Sequence, residues 1–191
     1  MTTNHPRLTA GQRLAPFQLE TLAHGTLEVP QRRWVHLRFM RFAGCPVCNL
    51  HLRRFSKEVE RLRTSAITSV SFFHSPKASM LPYQAELPFP IVADPERRWF
   101  QAFGVERSIT AVMNPLVWLS ALGGIASGPT NPFERGGEQD GLPAEFLVDP
   151  SGVIVALHYG RWADDHWSMN ELLARVEQAQ SSAQVTDAIR H

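Results

Sequence analysis

Cys45 and Cys48 are the only two cysteines in the 191-residue chain, three positions apart in Cys45-Pro46-Val47-Cys48. A thiolate is both a nucleophile and a metal ligand, so this spacing admits a dithiol redox pair, half of a zinc site, or two inert buried thiols. Which chemistry follows depends on the elements that hold the pair. Upstream, Trp34-Val35-His36-Leu37-Arg38-Phe39-Met40-Arg41-Phe42 is rich in aromatic and aliphatic residues and reads as a buried strand. Downstream, Leu50, Phe55, Val59 and Leu62 recur at helical spacing, which predicts a helix over 46–63. A cysteine at the first turn of a helix meets unsatisfied N–H groups and the positive end of the helix dipole, so it is favoured as thiolate. Cys48 lies one turn on, on the same face, and can resolve a mixed disulfide or a sulfenic acid formed at Cys45.

His51 extends the pattern to C-x2-C-x2-H, but a closed zinc site needs four ligands and no third cysteine exists to complete it. Cysteines at this spacing beside a strand–helix–strand pattern read instead as a redox motif. That pattern is present. Ala66-Ile67-Thr68-Ser69-Val70-Ser71-Phe72-Phe73 predicts a second strand, parallel to the first. Before it, short apolar stretches around His24-Gly25 predict a β-hairpin over 11–29. After it come a short helix from Ala78 to Leu87 interrupted by Pro82, an extended stretch at 89–93, and a helix to Phe103 with Asp94 as cap and Pro95 in its first position. Residues 144–148 and 153–158 flank the turn Asp149-Pro150-Ser151-Gly152 as a hairpin. A closing helix is predicted over 165–180, followed by a polar, frayed tail over 182–191.

Apolar residues make up 43% and charged residues 19% of the chain, a globular composition of one domain's length. The net charge of +1 offers no case for nucleic-acid binding. Met1-Thr2-Thr3-Asn4-His5-Pro6-Arg7 lacks an apolar core, so no secretory signal is expected and a cytoplasmic location follows, where thiols stay reduced unless they are catalytic.

Three stretches carry a family resemblance: "LAPFQL", "FPIVADPERRWFQAFGV" and "PAEFLVDPSGVIV", which together span most of residues 11–180. They resemble the alkyl hydroperoxide reductase C/thiol-specific antioxidant (AhpC/TSA) branch of the thioredoxin-like superfamily. The line "RFMRFAGCPVCNLHLRRF" and the tail "HYGRWADDH" resemble the peroxiredoxin-like group related to selenoprotein U. The resemblance implies a three-layer α/β/α thioredoxin-like domain over 1–191 with a central mixed sheet. It implies Cys45 as nucleophile and Cys48 as resolving thiol, with no metal, flavin or nucleotide cofactor. Peroxiredoxins carry P-x-x-x-(T/S)-x-x-C; the matching positions here are Arg38 and Phe42, neither proline nor hydroxyl. Phe39 stands where thioredoxins place a buried aspartate, six residues before the first cysteine.

Further residues are candidates to line the site. Arg41 can supply positive charge to the thiolate. The resemblance implies a cis Leu142–Pro143 bond set against the cysteines. Topology sends the loop 158–166 toward them, which brings in His158, Arg161, Asp165 and His166 as thiolate-tuning or proton-donating groups; alternatively Asp165 caps the last helix and the others are surface residues. His74 and Ser75 end a parallel strand on the same edge, and read as solvent-facing loop residues.

Residues 108–133 contain no charged side chain. Asn114-Pro115 predicts a short helix to Leu122, stopped by Gly123-Gly124, within an apolar insertion over 107–141. Pro115, Pro129 and the glycines argue against a membrane span. The insertion is a flap, a homodimer interface or extra core cover. The expected activity is thiol-dependent: reduction of a peroxide, or exchange with a disulfide substrate, with reopening by a thiol reductant such as a thioredoxin or glutathione system. The alternative is a non-catalytic redox-sensing or binding module.

Overall fold

Parallel strands buried on both faces read as continuous apolar runs; β3 (Trp34–Phe39), at the centre of the sheet, is buried in this way but carries His36 and Arg38 among its apolar residues. In this computed structural model, which describes residues 6–105, 115–132 and 141–190, the sheet order is β5-β4-β3-β6-β7. β4 (Ile67–Phe73) and β5 (Ile91–Ala93) run parallel to β3, while β6 (Ala144–Val148) and β7 (Ile154–Tyr159) are antiparallel, which makes the sheet mixed. A separate two-stranded sheet, β1 (Phe17–Glu20) with β2 (Thr26–Val29), precedes it.

Alternation along β3 sorts the core into two layers. Val35, Leu37 and Phe39 join Phe72, Phe100, Phe103 and Phe146 on one face. Met40 belongs to the opposite layer with Cys45, Cys48, Leu52, Phe55 and Trp167. His36 and Arg38 share the parity of Met40, so polar groups are placed between the sheet and the dithiol helix.

That helix, α1, spans Pro46–Ser56, and the predicted helix over 46–63 is broken in two: α2 is Val59–Thr64. The N–H groups of Lys57 and Glu58 turn back to Arg54 and Phe55 carbonyls in three-residue steps, and the change of phase brings Leu62 to the core. α3 (Lys77–Gln84) contains Pro82 as expected. α4 begins later than predicted, at Arg98–Ala102. Pro95 lies outside it, because the Asp94 carboxylate accepts from the N–H groups of Arg98, Trp99 and Phe100 rather than capping at its own position.

α5 (Pro115–Ser127) runs straight through Gly123-Gly124, which were expected to end it. The glycines serve packing instead. A Cβ at Gly124 would collide with the Pro46 carbonyl and one at Gly123 would press to 3.3 Å from Leu50, so only glycine lets α5 lie on α1. The flap expected over 107–141 falls outside the described residues at 107–114 and 133–140. α6 (Met169–Arg190) starts after Ser168, which exchanges hydrogen bonds with Glu171 in a capping box, so Asp165 is not the cap. It also passes Gln180 to Arg190 where a frayed tail was expected, since 181–190 contains neither proline nor glycine to stop it. No helix of the described residues is long and apolar enough to cross a membrane.

Candidate active site

Chain geometry makes Cys45 the N-cap of α1, with Pro46 in the first turn where its missing N–H costs nothing. The Cys45 Sγ accepts from the Cys48 backbone N–H at 3.4 Å, and the Arg41 Nη1 donates to it at 3.8 Å. Burial pushes the Cys45 thiol up. The Cys48 thiol's hydrogen bond, the Arg41 charge and the backbone N–H groups of Cys48 and Val47 outweigh it and bring the group down to about 6. Cys48 moves the other way: burial, its bond to Cys45 and the neighbouring thiolate charge hold it well above the usual thiol value. The pair is therefore divided into one thiolate and one thiol, as a nucleophile and a resolving group require. Both thiols are free, and both are buried, at 1% and 0% exposure.

The turn before Cys45 is fixed from three sides. Ala43 donates its N–H to the Ser75 Oγ at 2.9 Å, and its carbonyl accepts from Asn49 Nδ2 at 2.7 Å and Gln84 Nε2 at 2.8 Å. The Gln84 amide also donates to the Asn49 Oδ1. Gly44 O accepts from the Asn131 N–H. The two carbonyls that precede Cys45 are thus occupied by donors, while N–H groups and a guanidinium surround the sulfur. Asn49 and Gln84 were not visible in the sequence, since an amide on a helix is ordinarily solvated; nothing local marks these two as buried.

His74 and Ser75 correct the expectation of solvent-facing residues: both are buried, because β4 ends beneath the dithiol turn. His74 Nδ1 lies 3.3 Å from Arg97 Nη2. Leu142–Pro143 is trans, and Val29–Pro30 is the cis X–Pro bond among the described residues. Pro143 opens β6, its carbonyl accepting the Gly160 N–H, with its ring against Gly160.

The loop 158–166 divides. His158 Nε2 and Asp165 Oδ1 pair at 2.8 Å, and Asp165 also accepts the Arg161 N–H, so these three order the loop. His166 instead reaches α1. Its ring stacks on His51 at 4.6 Å, and its Nδ1 lies 3.2 Å from Glu145 Oε1. His51 therefore leaves the cysteines it follows in C-x2-C-x2-H and joins a buried group containing Glu145, His36 and Arg38. Glu145 and His36 went unnoticed in the sequence, although a carboxylate within the apolar run 144–148 was a signal that something inside had to meet it.

This architecture is shared with solved peroxiredoxins. The chain matches the reduced 2-Cys peroxiredoxin of Plasmodium vivax with a TM-score of 0.65 and 14% identity, over 92% of this chain and 98% of that one. AhpC of Mycobacterium tuberculosis gives 0.64 and 20% identity over 93% and 96%. A yeast mitochondrial 1-Cys peroxiredoxin gives 0.66 and 14% over 93% and 78%. None of the curated proteins matches the chain. The model of the AhpC/TSA family matches residues 10–157, which include the dithiol and most of the five-stranded sheet, and the chain belongs to that family.

Proposed function

We propose that the protein reduces hydroperoxides through a Cys45/Cys48 dithiol cycle. The observation that carries this reading is the Cys45 sulfur at the α1 N-terminus beside Arg41, with its pKa brought down to about 6 while Cys48 stays protonated. Thiolate attacks the peroxide oxygen, an alcohol or water leaves, and Cys45 becomes a sulfenic acid. Cys48 condenses with it, giving a disulfide and water, and an external dithiol reopens the bridge. The reductant we favour is of the thioredoxin or glutathione kind; the yeast mitochondrial 1-Cys peroxiredoxin has its thiol resolved via the glutathione and thioredoxin systems. Two free thiols fit a reducing, cytoplasmic setting.

The burial of both sulfurs favours a second reading, a redox sensor that is oxidised once and changes shape. Two further assignments accompany the proposal. The domain is single, with α5 as cover over α1. The exposed stripe Trp118, Leu119, Leu122 and Ile125 on α5 supports a homodimer through 107–141.

Stopped-flow oxidation by hydrogen peroxide, with and without a thiol reductant, tests the proposal. Multiple turnovers lost in Cys45→Ser support it. A rate no greater than that of a free thiolate, with a single oxidation event, supports the sensor.

A further inference from the structure

Glu145 carries a carboxylate into the core, at 0% exposure. A buried charge is ordinarily paired or bound to a metal. The cross-strand partner of Glu145 on β3 is Arg38, yet none of the three guanidinium nitrogens finds a hydrogen-bond partner among the described residues. The guanidinium is held instead over the Phe55 and Phe89 rings, at 4.1 and 4.8 Å. What surrounds the carboxylate is imidazole. His166 Nδ1 lies 3.2 Å from Oε1, and His36 Nε2 lies 3.9 Å from Oε2, which also accepts the Trp167 N–H at 2.8 Å. His51 joins from α1: His51, Glu145 and His166 each present a ligand atom within 4.8 Å of the other two.

Three nitrogens of this group, the Nε2 atoms of His36, His51 and His166, are buried without a hydrogen-bond partner among the described residues. The His36 and His166 side chains are enclosed, at 0% and 1% exposure. Their other ring nitrogens are engaged, His36 Nδ1 with the Ser69 Oγ at 3.1 Å and His166 Nδ1 with Glu145. Outer partners of this kind fix the tautomer and orientation of metal-bound histidines. A buried polar atom left unpaired costs about 1–3 kcal/mol, and three of them around one carboxylate point to a shared occupant. Imidazole nitrogens with a carboxylate oxygen are the donor set of zinc and its first-row neighbours, whereas calcium and magnesium take oxygen ligands.

We propose that His36, His51, His166 and Glu145 bind one divalent transition-metal ion of the zinc class, which clamps the dithiol helix α1 to strands β3 and β6 and to the residues that precede α6. The site uses neither cysteine and lies outside the peroxide cycle.

The spacing suits such an ion. Tetrahedral zinc with bonds of about 2.0–2.1 Å holds its ligand atoms about 3.3 Å apart. His166 Nδ1 and Glu145 Oε1 already stand at 3.2 Å, and the 3.9 and 4.8 Å separations close by side-chain rotation. His51 makes most of that movement. Its ring is stacked on His166 with 23° between the planes, so the two aim at one ion only after one ring turns. Histidine χ2 is a broad torsion, and no hydrogen bond among the described residues holds the His51 Nε2 where it is. Arg38 is the positive charge that opposes the ion; the aromatic faces of Phe55 and Phe89 hold it, and the Glu145 charge offsets it.

The test uses the full chain carrying Cys45→Ser and Cys48→Ser. No thiolate can then supply a ligand, and the outcome is independent of whether the protein reduces peroxide. Co2+ is the probe, because its tetrahedral complexes absorb strongly in the visible and its octahedral ones weakly. The expected result is one Co2+ per chain with a tetrahedral spectrum, displaced by Zn2+, and a denaturation midpoint that Zn2+ raises. His51→Phe and His166→Leu in this background, each shown to be folded by circular dichroism, should bind at least a hundredfold more weakly. Replacement of the exposed His24 by alanine should leave binding at the parent value. An octahedral spectrum, or parent affinity in both variants, overturns the site. Histidine ring NMR of the parent needs no variant. Zn2+ must shift the His36, His51 and His166 signals, and shifts confined to the other five of the eight histidines mean an adventitious surface site and overturn the proposal equally.

Discussion

Asn131 donates its backbone N–H to the Gly44 carbonyl at 2.9 Å, tying the segment after α5 to the residue before Cys45. α5 is thus anchored to the dithiol turn twice, by this bond and by the close approach of Gly124 to Pro46.

Gly124→Ala must push the two helices apart, since the added methyl meets backbone rather than a side chain that can turn away. A loss of about 1–3 kcal/mol, the usual range for overpacking, is expected in chemical denaturation. Limited proteolysis should cut within α5 faster than in the parent. Unchanged values in both measurements would remove the docking role of the glycine pair.

Arg41→Met removes the guanidinium at 3.8 Å from the Cys45 Sγ. The thiolate absorbance should then titrate above the parent's value of about 6, and alkylation near pH 6 should slow severalfold. A titration that does not move would mean the helix N-terminus alone holds the thiolate.

Replacing Gln84 by methionine keeps the volume but deletes the donor to the Ala43 carbonyl. We expect a stability loss of about 1–3 kcal/mol for the buried acceptor and neighbouring amide left under-satisfied, together with a Cys45 titration shifted upward. If stability falls and the titration stays, the amide braces the turn without shaping the thiolate.

The reduced protein should grow more stable as pH rises from about 6 toward 9. Cys45 titrates at about 6 when folded and at 9.0 when exposed, so across that window the unfolded chain binds more protons than the native one. His36, His51 and Glu145, whose values are also lowered by folding, act in the same direction at lower pH. Denaturation midpoints compared between parent and Cys45→Ser isolate the cysteine part; parallel curves across the window would contradict it.

The fold was legible where the signal is local. The strand expected over 34–42, which ends at Phe39, the helix behind Cys45 and the hairpin around Asp149–Gly152 each declare themselves in a dozen residues. What escaped was set by contacts between distant segments. Gly123-Gly124 read as a stop because only the Pro46 carbonyl, seventy-odd residues away, explains them. Asp165 looked like a cap until Ser168 paired with Glu171 and left it to His158. In the site, Cys45, Cys48 and Arg41 followed from spacing, whereas Asn49, Gln84, His36 and Glu145 gain meaning only when the sheet and two helices bring them together. His51 was noticed only as a third member of C-x2-C-x2-H, a pattern set aside for want of ligands, because its stacking partner His166 is far away in sequence.

The shielding of both sulfurs has a consequence for the rate law. A peroxide can react only during excursions that uncover Cys45, so at low concentration the observed rate is the intrinsic rate scaled by the fraction of time spent uncovered. At high concentration it levels off at the frequency of those excursions, whatever the oxidant. Two peroxides of different intrinsic reactivity should then reach the same ceiling, a signature of the cover rather than of the sulfur.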